Sequence, residues 1–200
     1  MGLFDSLLLW TVSVFGPYGN LGLFALAFAE SSFFPIPPDV LLIAFALADP
    51  QNAFMFAAIA TIGSVAGGVF GYFLGKKLGE PLLLKFTSKE KVAHVQKLYD
   101  ELGFWAVFAA GFSPIPYKVF TIFSGVMKMD LGKFILASVL SRGLRFFAVA
   151  TVIFFYGAPI REFLNGYFEI ITLAISLPII TFVGWKLFDH TKKKHKEKLL

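Results

Sequence analysis

Two stretches of this chain, residues 21–48 and 104–127, are apolar over a length that could reach across a bilayer, yet each is broken mid-way by prolines and a charge. The first holds Pro35, Pro37, Pro38 and Asp39, with Glu30 ahead of them; the second holds Pro114, Pro116 and Lys118. Proline removes a helix donor and clashes with the preceding turn, so a cluster of them ends a helix. Broken backbone at membrane depth survives only when buried in protein or lining a wet cavity. A re-entrant helix–turn–helix, entering and leaving on one side, satisfies both constraints.

Composition shows why a membrane is the setting. Hydrophobic residues make up 57% of the chain and charged residues 16%, with mean hydropathy +0.74. A soluble domain carries about 25% charge, so polar surface is too scarce here to cover a core. Residues 53–75 carry no charge at all, and residues 134–156 hold only Arg142 and Arg145. Both read as transmembrane helices. Residues 161–188 contain a further span, and 189–200 form a basic tail. Residues 1–17 read as an interfacial helix, because their apolar run is too short to cross. Met1–Trp10 lacks the basic start of a signal peptide, so the N-terminus is expected to be retained.

Charge distribution sets the topology. No Lys or Arg occurs before Lys76; the basic residues gather in 76–97 and in Lys192–Lys198. With loop 76–100 cytoplasmic, hairpin 21–48 opens outward and hairpin 104–127 opens inward. The C-terminus then returns to the cytoplasmic side, as the positive-inside rule requires. The expected location is the inner (plasma) membrane. An internal repeat agrees: Tyr18-Gly19-Asn20-Leu21-Gly22 resembles Tyr99-Asp100-Glu101-Leu102-Gly103, and Pro35-Ile36-Pro37 matches Pro114-Ile115-Pro116. The expected fold is all-α: an inverted repeat of two opposed re-entrant hairpins, each followed by a transmembrane helix, plus a C-terminal transmembrane helix.

The candidate site is Glu30, Asp39, Lys118, Arg142 and Arg145, lining a substrate or proton pathway. In the repeat Asp39 corresponds to Lys118, so these two are expected to meet at the hairpin tips, as a structural ion pair or as pathway lining. Arg142 and Arg145 are three apart and share one helix face. They either pack against Glu30 and freed hairpin carbonyls or offer a phosphate its planar bidentate donors. Gly63, Gly67, Gly71 and Gly75 form a small-residue face for close helix packing, expected against a hairpin. With no Cys and with His94, His190 and His195 scattered, no metal site, cofactor or catalytic constellation is expected.

Phe28-Ala29-Glu30 leading to Pro35-Ile36-Pro37-Pro38-Asp39, the run Gly71-Tyr72-Phe73-Leu74-Gly75, and Phe112-Ser113-Pro114 followed by Ser124-Gly125 and Met129 resemble the DedA (VTT-domain, SNARE-associated) membrane proteins. Pro114-Ile115-Pro116-Tyr117-Lys118 and Ser141-Arg142-Gly143-Leu144-Arg145-Phe146 are most similar to its YqaA-type branch. The resemblance spans roughly residues 15–160, within a membrane domain placed at 18–160. It implies opposed re-entrant hairpins and lipid movement across the bilayer, with membrane acids and arginines linked to proton coupling. Glu30 and Asp39 match the family's acidic pair at a shorter interval. The family's two arginines of the second motif fall on Gly111 and Tyr117 and are absent; Lys118 lies one position beyond, and Arg142 and Arg145 are candidates to replace their charge.

Function is therefore expected to be translocation or scrambling of a lipid with a phosphate headgroup. A proton-coupled transporter of a small solute or ion is the alternative, and a non-transporting scaffold the third reading. An enzyme is not expected. The expected partners are membrane lipids with anionic or phosphate headgroups and no nucleic acid; a homo-oligomer is left open.

Overall fold

The computed structural model describes residues 3–83, 89–113, 116–157 and 181, and every regular element among them is helical. The helices are α1 (Leu3–Phe15), α2 (Gly19–Ser32), α3 (Asp39–Ala48), α4 (Ala53–Leu83), α5 (Lys89–Phe112), α6 (Tyr117–Val126) and α7 (Leu131–Tyr156). Short 3-10 turns at Gly16–Tyr18 and Pro50–Asn52 join α1 to α2 and α3 to α4.

The prolines break both hairpins where the sequence places the breaks. α2 closes with the Phe33 and Phe34 amides both donating to the Ala29 carbonyl, at 2.8 and 2.7 Å. Pro35, Pro37 and Pro38 offer no amide to continue it, and α3 restarts at Asp39. α5 ends at Phe112, and α6 restarts behind Pro116. Pro114, one of the expected breakers, lies outside the described residues. α7 starts on an N-cap: Asp130 Oδ1 accepts from the Lys133 amide at 2.8 Å. It stops at Gly157, whose φ of +50° suits a residue without Cβ.

Among the described residues, three stretches are long and apolar enough to cross a membrane: Leu9–Ser32, Pro50–Lys77 and Leu131–Tyr156. The second and third are the spans expected at 53–75 and 134–156. The first adds length to a segment expected to stay at the interface. It is not one straight helix, since it includes the 3-10 turn and a Gly19 φ of +54°.

Loop 76–100 needs a correction. α4 continues to Leu83 and α5 begins at Lys89, so most of that segment is helix. Lys76 and Lys77 end the hydrocarbon-compatible stretch but not the hydrogen-bonded ladder, because Lys is a good helix former. For the same reason the first arm of the second hairpin starts well before residue 104. The expected C-terminal span 161–188 and tail 189–200 lie outside the described residues, apart from the helical Thr181.

α4 and α7 run antiparallel through the centre, and each hairpin claims one end of the pair. Leu23 and Leu26 of α2 and Leu41, Leu42 and Ala46 of α3 pack with Phe56, Ala57 and Ala60 of α4 and with Phe146, Ala150 and Ile153 of α7. Tyr99, Val107 and Ala110 of α5 and Tyr117 of α6 pack with Tyr72 of α4 and with Phe134 and Ala137 of α7. The two broken segments thus pack into separate clusters along the α4–α7 pair.

The glycine face of α4 lets both hairpins approach at backbone distance. A Cβ on Gly63 would stand 2.6 Å from the Phe24 carbonyl oxygen, and one on Gly67 would overlap the Phe28 backbone, both on α2. One on Gly71 would meet Thr121 Oγ1 at 2.5 Å, and one on Gly75 would overlap the Ile122 carbonyl, both on α6. The single expected partner is thus two, shared along the helix.

Candidate functional site

The two hairpin breaks face each other across the midpoints of α4 and α7, and broken helices leave carbonyls without donors. The Ser31 carbonyl would be served four residues on by Pro35, and the Phe34 carbonyl by Pro38; neither proline has an N–H. Side chains from the other half of the molecule replace them. Thr121 Oγ1 lies 3.2 Å from the Ser31 carbonyl and 2.9 Å from the Lys118 carbonyl. Lys118 Nζ donates to the Phe34 carbonyl at 3.2 Å. The Ser113 carbonyl, at the second break, accepts from Arg145 Nη1 at 3.2 Å.

Around these carbonyls stand the five charged residues singled out in the sequence. Asp39, in the first turn of α3 and 1% exposed, is held bidentately: Arg145 Nε donates to Oδ1 and Nη2 to Oδ2, both at 3.0 Å. The planar guanidinium fork fits a carboxylate in this way. Arg142, one turn earlier on α7 and 3% exposed, places Nη2 2.7 Å from Glu30 Oε2 and donates through Nε to Ser64 Oγ at 2.6 Å. Its guanidinium carbon lies 5.2 Å from the Tyr117 ring centre and 4.7 Å from that of Phe146. Two aromatic faces therefore flank the cation, a favourable setting for a charge with little water.

Asp39 and Lys118 do not pair, contrary to the expectation from the repeat. α3 starts against α7, which brings Asp39 to the Arg145 fork, whereas Lys118 is drawn to the carbonyl that Pro38 leaves without a donor. Both arginines do meet the acids, and Arg145 also reaches the freed Ser113 carbonyl. Among the described residues Lys118 has no carboxylate partner within salt-bridge distance. The cluster thus holds three cations against two carboxylates.

Hydroxyls complete the site. Ser31 and Ser64, both fully buried, approach to 2.6 Å between their Oγ atoms, and Ser31 Oγ donates to Glu30 Oε2 at 3.0 Å. Ser32 Oγ lies 3.0 Å from the Gly67 carbonyl. The Tyr117 hydroxyl donates to Ser138 Oγ at 2.5 Å, and Ser138 to the Phe134 carbonyl at 2.7 Å. Among the described residues no buried side-chain nitrogen or oxygen lacks a partner. Sequence reasoning passed over these hydroxyls. The available signal was small polar residues inside otherwise apolar helices, such as Ser64 in a span with no charge.

Comparison with known proteins extends the picture. A family model described as the VTT domain matches residues 36–155. An uncharacterised protein of Haemophilus influenzae is 38% identical over 148 residues, covering 72% of this chain and 77% of its own. An uncharacterised protein of Methanocaldococcus jannaschii is 34% identical over 128 residues, covering 64% and 79%. YbfM, an uncharacterised membrane protein of Bacillus subtilis, is 25% identical over 143 residues, covering 68% and 88%. No solved structure matches the chain.

Proposed function

This chain belongs to the VTT-domain (DedA) family of membrane proteins, and from that premise we propose that it moves a lipid with a phosphate headgroup across the bilayer. One observation carries the reading: where the two broken hairpins meet α4 and α7, the cations Lys118, Arg142 and Arg145 outnumber the carboxylates Glu30 and Asp39 by one. Charge at membrane depth is costly unless it is used. An anionic headgroup restores the balance. A phosphate accepts from the same guanidinium fork that Asp39 occupies, so it exchanges with a carboxylate of like geometry instead of meeting an empty socket.

In this reading the hairpins re-enter from opposite faces, the segment 76–100 is cytoplasmic, and the site opens to lipid beside the breaks. Protonation of Glu30 would weaken its hold on Arg142 and couple headgroup binding to a proton. No bond is made or broken, so neither an enzymatic step nor a cofactor is part of the proposal.

Purified protein in liposomes tests it, with fluorescent phospholipids and a polyprenyl phosphate followed with and without a pH gradient. The expected result is transfer of anionic lipid without solute uptake. Uptake of small solutes or ions without lipid transfer would replace this reading with that of a proton-coupled transporter. Neither activity, from folded protein, would leave a scaffold.

A further inference from the structure

Four groups close a ring among α2, α4 and α7. Arg142 Nε meets Ser64 Oγ at 2.6 Å, Ser64 Oγ meets Ser31 Oγ at 2.6 Å, Ser31 Oγ meets Glu30 Oε2 at 3.0 Å, and Glu30 Oε2 meets Arg142 Nη2 at 2.7 Å. The direction of every proton follows from elementary donor counting. A guanidinium only donates, so Ser64 Oγ accepts from Arg142 Nε, and its own proton turns to Ser31. Ser31 then has its proton for Glu30 Oε2. Reversing the serines would aim the Ser64 oxygen at two donors and leave Ser31 and the carboxylate with no proton between them.

Two donors thus converge on a single oxygen, Glu30 Oε2. A proton added to that oxygen would oppose the two hydrogens already aimed at it, and the ring would have to reorder its hydroxyls to take it. This hydrogen arrangement matches an ionised Glu30, and both serines are fully buried. Other charged or titratable groups face Glu30 from the packed elements. Arg145 of α7 and Tyr117 of α6 sense its charge, Lys118 follows Tyr117 on α6, and Asp39 of α3 stands beyond Arg145. The span of α4 contributes the Ser64 hydroxyl and no charge. The segment ahead of α2 contributes only Asp5 and Tyr18, at the opposite end of that helix in sequence.

We propose that Ser31 and Ser64 are positioning residues that tie the place of Arg142 to the charge on Glu30. While Glu30 is ionised, the ring holds Arg142 by two edges of its guanidinium over Tyr117. When Glu30 is neutral, the ion pair is gone, both donors face a weaker acceptor, and Arg142 Nη2 is freed to bind an anion. This rests on the lipid-transfer reading for its purpose, though not for its geometry.

The experiment measures the pH profile of anionic-lipid transfer in liposomes for the wild type, Ser31→Ala, Ser64→Ala, the double variant and Ser64→Thr. Removing the Ser31 donor from an ionised carboxylate favours its neutral form, so the midpoint should move upward by about one pH unit. Ser64→Ala should also move it, and the double variant should fall short of the sum, because the ring acts as a unit. Ser64→Thr keeps the hydroxyl and should keep the wild-type midpoint. A merely structural role would lower the rate equally at every pH. Unchanged midpoints in both alanine variants would overturn the proposal. If the wild type moves no lipid, the function proposed above falls alone. The ring is then read directly, from the infrared carbonyl band of protonated Glu30 assigned with Glu30→Gln. An upward shift of that titration in Ser31→Ala supports the ring; its absence refutes it.

Discussion

Arg145 engages three nitrogens, two on Asp39 and one on the Ser113 carbonyl, so it ties α3, α5 and α7 together at one point. Removing one member of a buried pair leaves the other charge without compensation, at a cost of about 3–5 kcal/mol, whereas removing both is far milder. Asp39→Asn and Arg145→Met should each lower thermal stability in detergent, and the double variant should recover much of the loss. Asp39→Asn combined with Lys118→Met should instead show additive losses, since these side chains have different partners. Strong coupling in that second cycle would contradict the pairing described here. That Asp39 and two arginines form a buried set was legible from their isolation in apolar sequence. Which cation takes which acid was not, because it depends on how α3 and α7 cross, and the repeat pointed to Lys118. The proline that orphans the Phe34 carbonyl explains where Lys118 goes instead.

At the scale of elements, α4 shows how a row of glycines is read differently by different neighbours. On Gly67 a Cβ would overlap the Phe28 backbone, and a backbone neighbour cannot rotate away. Gly143 of α7 has its nearest neighbour, Thr61 Cγ2, at 3.8 Å, an ordinary contact. Gly67→Ala should therefore reduce the yield of folded protein severely. Gly143→Ala should be tolerated or raise stability by about 0.5–1 kcal/mol, the helix preference for Ala over Gly. Fluorescence-detected size exclusion and a melting curve compare the two directly. Hairpin breaks were legible in the sequence because proline clusters act locally. The extent of α4 and α5 was not, because Lys76 marks where hydrocarbon ends while backbone hydrogen bonds continue past it. Ser31 and Ser64 left no mark either, as serine suits surfaces and interiors alike until its partners are known.

For the whole molecule, α4 at 31 residues is roughly 45 Å long, more than a hydrocarbon core needs. Its C-terminal end, with Lys76 and Lys77, should project on the side where α5 begins. The chain has no Cys, so single introduced thiols report sidedness cleanly. Gln51→Cys should react with an impermeant reagent from outside, while Lys97→Cys and Lys133→Cys should react only from inside. Opposite reactivity of the last two would mean that the second hairpin crosses the bilayer instead of re-entering. The pairing across α7 also sets an order of assembly. Glu30 precedes Arg142 by 112 positions and Asp39 precedes Arg145 by 106, so the ribosome makes both acids well before their cations. At ordinary synthesis speeds that delay is on the order of ten seconds. Through this interval α2 and α3 are without the counter-ions that later neutralise their acids, and the first half of the chain waits on the second to become a finished membrane protein.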